Sequence, residues 1–150
     1  MTLKELRFQI DLWTAAQTLP LRVYGRSLSE ILDLSRARRP NTYRGLSSDY
    51  IVKAIFRIVR RPFVMRDRRC LREGLLAFQF LEAAGFAPKL YFGIDRSTLH
   101  RPDVKAHCWV VCNEEAVLNF PSADMVPILV WPNAGQALEL PNDLAQANFD

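Results

Sequence analysis

The hydrophobic pattern of this chain changes period once, and the change falls at Pro88. Before it, apolar side chains recur at three- and four-residue intervals. After it, they alternate as strands do. Helices first and an antiparallel set of strands afterwards is an α+β layout, and that order limits the fold more than any other feature of the sequence.

Four helical segments precede the change. Leu3 to Thr18 carries Leu3, Leu6, Ile10 and Trp13 at helical spacing, with Pro20 expected to end it. Ser27 to Arg38 follows, with Ser27 as N-cap and Leu28, Ile31, Leu32 and Ser35 on one side. Ser47 or Ser48 caps a third helix with Asp49 in its first turn and Ile51, Val52, Ile55, Phe56 and Val59 as its apolar set. Pro62 is expected to stop it. The fourth begins near Cys70 and runs to Ala84, with Gly85 as its C-terminal stop.

Four strands are expected after Pro88: 89–95, 106–112, 116–120 and 127–131. Asn113-Glu114 marks a hairpin turn between the second and third. Pro127 at the start of the last suggests a sheet edge. The loop from Arg96 to Lys105, with His100, Pro102 and Asp103, is placed to line a cleft. We find no internal repeat and no linker, so 1–150 reads as a single domain. A helical part covers 1–45, a Cys-bearing core 46–131, and a polar tail 132–150, expected to lack order past about Leu140.

With 49% hydrophobic and 24% charged residues, the chain has the composition of a globular domain. No apolar run approaches the roughly 18 residues of a membrane span. The N-terminus mixes Lys4, Glu5 and Arg7 with apolar residues and lacks a signal-peptide core, so a cytoplasmic location and no membrane partner are expected. Three cysteines, Cys70, Cys108 and Cys112, argue against a disulfide framework. Cys108 and Cys112 have no second Cys/His pair at zinc spacing, and we expect neither a metal nor a cofactor. The net charge of +4 is concentrated between Arg57 and Arg72, where seven arginines stand with almost no acid. That segment is either a solvated face or a docking surface for an acidic partner. No aromatic residues interleave it at stacking spacing, which speaks against nucleic acid.

The chemistry-bearing residues are few. Cys70 lies at the first turn of its helix, where backbone N–H groups, the helix dipole and nearby arginines all favour a thiolate. Free cysteines are also common as small buried hydrophobes, and the residue fits that role too. Cys70, Gly74 and Ala77 form a stripe of small residues that lets the helix approach a sheet. His107 lies within a strand, sharing a face with Trp109 and Val111, while Cys108 and Cys112 turn to the other face and read as core. Asn119, in the return strand, would come near His107 if the hairpin forms. Its side chain either orients the imidazole or simply ends the strand before Pro121.

Several segments together resemble a known family. They are Arg69-Cys70-Leu71-Arg72-Glu73-Gly74-Leu75-Leu76, Leu81-Glu82-Ala83-Ala84-Gly85-Phe86-Ala87-Pro88, Phe92-Gly93-Ile94, Ala106-His107-Cys108-Trp109-Val110, Val117-Leu118-Asn119 and Pro127-Ile128-Leu129-Val130. Over roughly 45–131 the chain is similar to the leader peptidases of lasso-peptide biosynthesis, which are transglutaminase-like cysteine proteases. The resemblance implies a Cys-bearing helix packed on an antiparallel β-meander, with Cys70 as nucleophile, His107 as base and Asn119 as third member. It implies removal of the leader from a ribosomally made precursor, before a cyclase closes the macrolactam ring. It also implies a separate leader-recognition protein, since the chain is too short for a fused one. The family carries an acid directly after this Asn. Here Phe120 stands there, so the third role falls to Asn119 or to Asp124, and Asn119 is favoured. The alternative is a transglutaminase-like scaffold without catalysis that binds the precursor and partner proteins.

Overall fold

The computed structural model describes residues 1–37, 39–60 and 68–132. Four helices come first: α1 (Leu3–Val23), α2 (Leu28–Ser35), α3 (Ser48–Val59) and α4 (Arg69–Ala83). Four strands follow: β1 (Lys89–Asp95), β2 (Ala106–Cys112), β3 (Glu115–Leu118) and β4 (Met125–Trp131). The architecture is α+β, as the change of period at Pro88 requires. The polar tail past Pro132 and residues 61–67 of the arginine-rich segment lie outside the described residues, and so does the expected stop at Pro62.

Local chemistry explains the helix starts. Thr2 and Ser27 each form a reciprocal capping box with the glutamate three residues on, Glu5 and Glu30. Ser47 caps α3 by accepting from the Tyr50 amide. Gly85 ends α4 at φ 90°, a backbone conformation that a residue with a Cβ rarely adopts.

α1 departs from expectation in two ways. It does not stop at Pro20 but continues to Val23. A proline inside a helix removes one N–H, which orphans the carbonyl four residues back. Here that carbonyl belongs to Ala16, and the buried Arg72 of α4 donates to it at 2.7 Å. The broken bond is replaced by a tertiary one, so the helix runs on. α1 also buries a different face from the one the sequence suggested. Phe8, Leu12, Ala16, Leu19 and Val23 enter the core, while Leu3, Leu6, Ile10 and Trp13 stay in solvent. Phe8 is fixed by three rings, Tyr43, Tyr50 and Phe80. α2 is shorter than expected, ending at Ser35, and α3 turns Ala54 inward in place of Phe56.

All strand pairs are antiparallel, in the order β3-β2-β1-β4. β1, β2 and β3 form the meander. β4 returns to the far side of β1 rather than pairing with β3, which makes it an edge strand and places Pro127 on that edge. Asn113 and Glu114 both take positive φ, at 52° and 66°, which is the geometry of a tight two-residue hairpin turn. α4 lies across the sheet. A Cβ on Gly74 would come within 2.8 Å of Leu90 Cδ1 and 3.3 Å of Cys108 Sγ, so the helix packs at this depth because residue 74 has no side chain.

Candidate active site

Cys70 is the second residue of α4 and is buried. Among the described residues no side chain caps the helix, and its first-turn N–H groups, as in any helix, have no intrahelical acceptor. Arg69 reaches from the helix start to Glu73, whose carboxylate it meets at 3.0 Å.

His107 stands near the start of β2. β3 pairs with β2 only between Val110 and Cys112, so the β3 side of β2 has no strand partner at His107. The chain leaving β3 occupies that side instead. Asn119 turns with φ 56°, a left-handed conformation that asparagine tolerates better than most residues. The turn brings the Asn119 carbonyl oxygen to 3.0 Å from His107 Nε2. A carbonyl can only accept, so Nε2 carries the proton, and in the neutral ring Nδ1 is the basic nitrogen. The Asn119 carboxamide does something else: its Nδ2 donates to the Cys70 carbonyl at 3.1 Å. One residue thereby ties the end of β3 both to the imidazole of β2 and to the first turn of α4.

The Cys70 thiol is drawn down to about 5. The Cys108 thiol, which hydrogen-bonds to it, contributes most. The His107 hydrogen bond, the Cys108 backbone N–H and the imidazole's charge add to this, and burial opposes all of them. Burial pushes the Cys108 thiol well up, and the neighbouring Cys70 pushes it further, so Cys108 remains the protonated donor of the pair. Cys112 is also raised, by burial.

Aromatic rings wall the imidazole. Trp109 stacks near His107, with centroids 6.4 Å apart, and Tyr91 stacks on Trp109 at 5.6 Å. β1 gives the indole room through Gly93, the register partner of His107. A Cβ there would meet Trp109 at 2.8 Å and the Val126 carbonyl at 2.8 Å.

The structure therefore brings Cys70, His107 and Asn119 together. It attaches the imidazole to the Asn119 backbone rather than to the side chain the sequence pointed to. Phe120, which follows Asn119, is 72% exposed. Asp124 is exposed, and its backbone carbonyl accepts from the Arg96 amide. In the loop from Arg96 to Lys105 only Thr98 is buried, and His100 and Asp103 stand in solvent. Cys108 is the residue the sequence reading undervalued. Its alternation placed it correctly in the core, but the core atom it meets is the Cys70 sulfur. The signal for that contact was Gly74, one turn after Cys70 on the face turned to β2.

The domain is thus of the α+β class that sets a cysteine on the first turn of a helix beside a histidine on an antiparallel strand. This chain belongs to the transglutaminase-like superfamily, whose family model matches residues 15–129. Searches of curated proteins and of solved structures return no significant match. The superfamily includes cysteine peptidases. Among the described residues, no helix is long and apolar enough to cross a membrane.

Proposed function

We propose that this chain is a cysteine peptidase that removes the leader from a ribosomally made lasso-peptide precursor, ahead of macrolactam formation. The observation that carries the reading is the Cys70 thiol, held against the His107 imidazole and depressed to about 5 on a transglutaminase-like fold. The precursor class rests on the sequence resemblance over roughly 45–131. The same resemblance supplies the expected partners, a separate leader-recognition protein and a macrolactam-forming cyclase, acting in the cytoplasm.

His107 Nδ1 takes the thiol proton, and the Cys70 sulfur attacks the carbonyl at the leader–core junction. First-turn N–H groups of α4, that of Cys70 among them, receive the oxyanion; such a donor is worth about 3–4 kcal/mol of barrier in related chemistry. His107 then gives its proton to the leaving amine, which is the new N-terminus of the core peptide. Water hydrolyses the thioester and releases the leader carboxylate. Asn119 acts through its backbone, keeping Nε2 protonated and the ring turned to the thiol.

The test is leader release, followed by mass spectrometry, from precursor incubated with this chain and the recognition protein. We expect cleavage by the native chain and none by Cys70→Ala or His107→Ala. Full activity of Cys70→Ala would end the assignment. Product mass also distinguishes hydrolysis from acyl transfer to an amine. A scaffold without catalysis, the reading that Phe120 motivates, would bind precursor and leave its mass unchanged.

A further inference from the structure

α1 presents three faces in succession around its axis, at about 100° per residue. The first is the core face already described. The second carries Arg7, Asp11, Thr14, Thr18 and Arg22, and forms one wall of a cleft of about 650 Å³. Arg39 and Gln79 stand on the facing walls. The third carries Leu3, Leu6, Ile10 and Trp13 at a three-four-three spacing, continued by Leu21 and, just past the helix, Tyr24. All six are exposed, Trp13 to 57%. An isolated exposed leucine is ordinary, but a row of large apolar side chains along one helix marks an interaction site.

The cleft beside this row is positive. Three guanidinium groups and one carboxylate line it: the Tyr43 hydroxyl donates to Asp11, Arg7 lies 3.7 Å from that carboxylate, and Arg22 donates to the Leu34 carbonyl. Apolar stripe and basic cleft are neighbouring faces of one helix. We propose that this surface of α1 docks an acidic amphipathic segment of a partner protein, with apolar side chains on the stripe and carboxylates toward Arg7, Arg22 and Arg39. A second copy of this chain fits poorly, because stripe-to-stripe pairing would bring like charges together. Gln79, on the facing wall, lies nine residues beyond Cys70, about 13 Å along α4, so this surface is separate from the cysteine site.

The test uses the full chain and three fluorescein-labelled peptides, read by anisotropy. One has leucine and glutamate at helical spacing. The second replaces glutamate with lysine, and the third replaces leucine with serine. Saturable binding of the first alone is expected, weakening as salt rises. Both the Arg7→Glu/Arg39→Glu variant and the Ile10→Ser/Trp13→Ser variant should weaken it about tenfold or more, with circular dichroism unchanged. Equal binding of all three peptides, or no binding, overturns the proposal. So does a dimer in sedimentation that Trp13→Ser dissolves, which would name a second copy as the occupant. Residues 133–150 carry Glu139, Asp143 and Asp150 and no cation. Binding that appears only in the Glu139→Gln/Asp143→Asn variant would assign the surface to the chain's own tail and equally overturn the proposal.

Discussion

Asn119 makes its two contacts with different parts of itself, and that separates its contributions experimentally. Its carbonyl serves His107 and its carboxamide serves the α4 backbone. Asn119→Gly keeps the left-handed backbone without strain and loses only the carboxamide bond, a net contribution of about 1 kcal/mol. Asn119→Ala loses the same bond and also carries about 1–2 kcal/mol of left-handed strain. We therefore predict that the glycine variant retains more peptide-cleaving activity than the alanine variant, as read by initial rates. Equal losses would mean that the carboxamide itself orients the imidazole. Phe120→Asp should change those rates little, because that side chain stands in solvent. That Cys70, His107 and Asn119 come together was legible in the sequence because motif and alternation are one-dimensional signals. The backbone role of Asn119 was not, because it depends on a positive φ that the residue name permits but does not dictate.

Among the elements, α4 and α1 depend most closely on single residues. Gly74→Ala places a Cβ 2.8 Å from Leu90 Cδ1 and 3.3 Å from Cys108 Sγ. We expect a loss of about 1–3 kcal/mol in denaturant melts, since this packing leaves no room for a methyl group. Arg72→Met should cost about 1–3 kcal/mol by leaving the Ala16 carbonyl, freed by Pro20, buried without a donor. In the same background Pro20→Ala should recover much of that loss, because it restores the helical N–H. Failure of that recovery would show that Arg72 stabilises the fold by some other contact. β3 ends at Leu118, not Phe120, and β4 starts at Met125, not Pro127, but β1 and β2 read well from sequence because period two, Gly and Pro agree. The extension of α1 through Pro20 did not, because its cause is an arginine 52 residues downstream of that proline.

At the scale of the whole molecule, the helical half carries Cys70 and the sheet carries His107, so the pair exists only when α4 sits on β2. The face of α1 that holds the helical half together was not legible in the sequence. Leu3, Leu6, Ile10 and Trp13 stand at helical spacing, but so do Phe8, Leu12, Ala16, Leu19 and Val23, and only packing shows that the second set points inward. Leu12→Ala should therefore cost about 2–5 kcal/mol, while Ile10→Ser should stay within about 0.5 kcal/mol in the same melts. The central claim is a thiolate–imidazole pair formed by the fold. It is tested most directly by the pH dependence of Cys70 alkylation by iodoacetamide, quantified by mass spectrometry of the Cys70 peptide. Because the thiol is depressed, the rate should be flat from neutral pH down to about pH 6 and fall only as pH passes through about 5. His107→Ala should move that fall upward. A native rate that instead declines below the ordinary thiol range, about pH 8.5, with no change in His107→Ala, would contradict the pair and the function built on it.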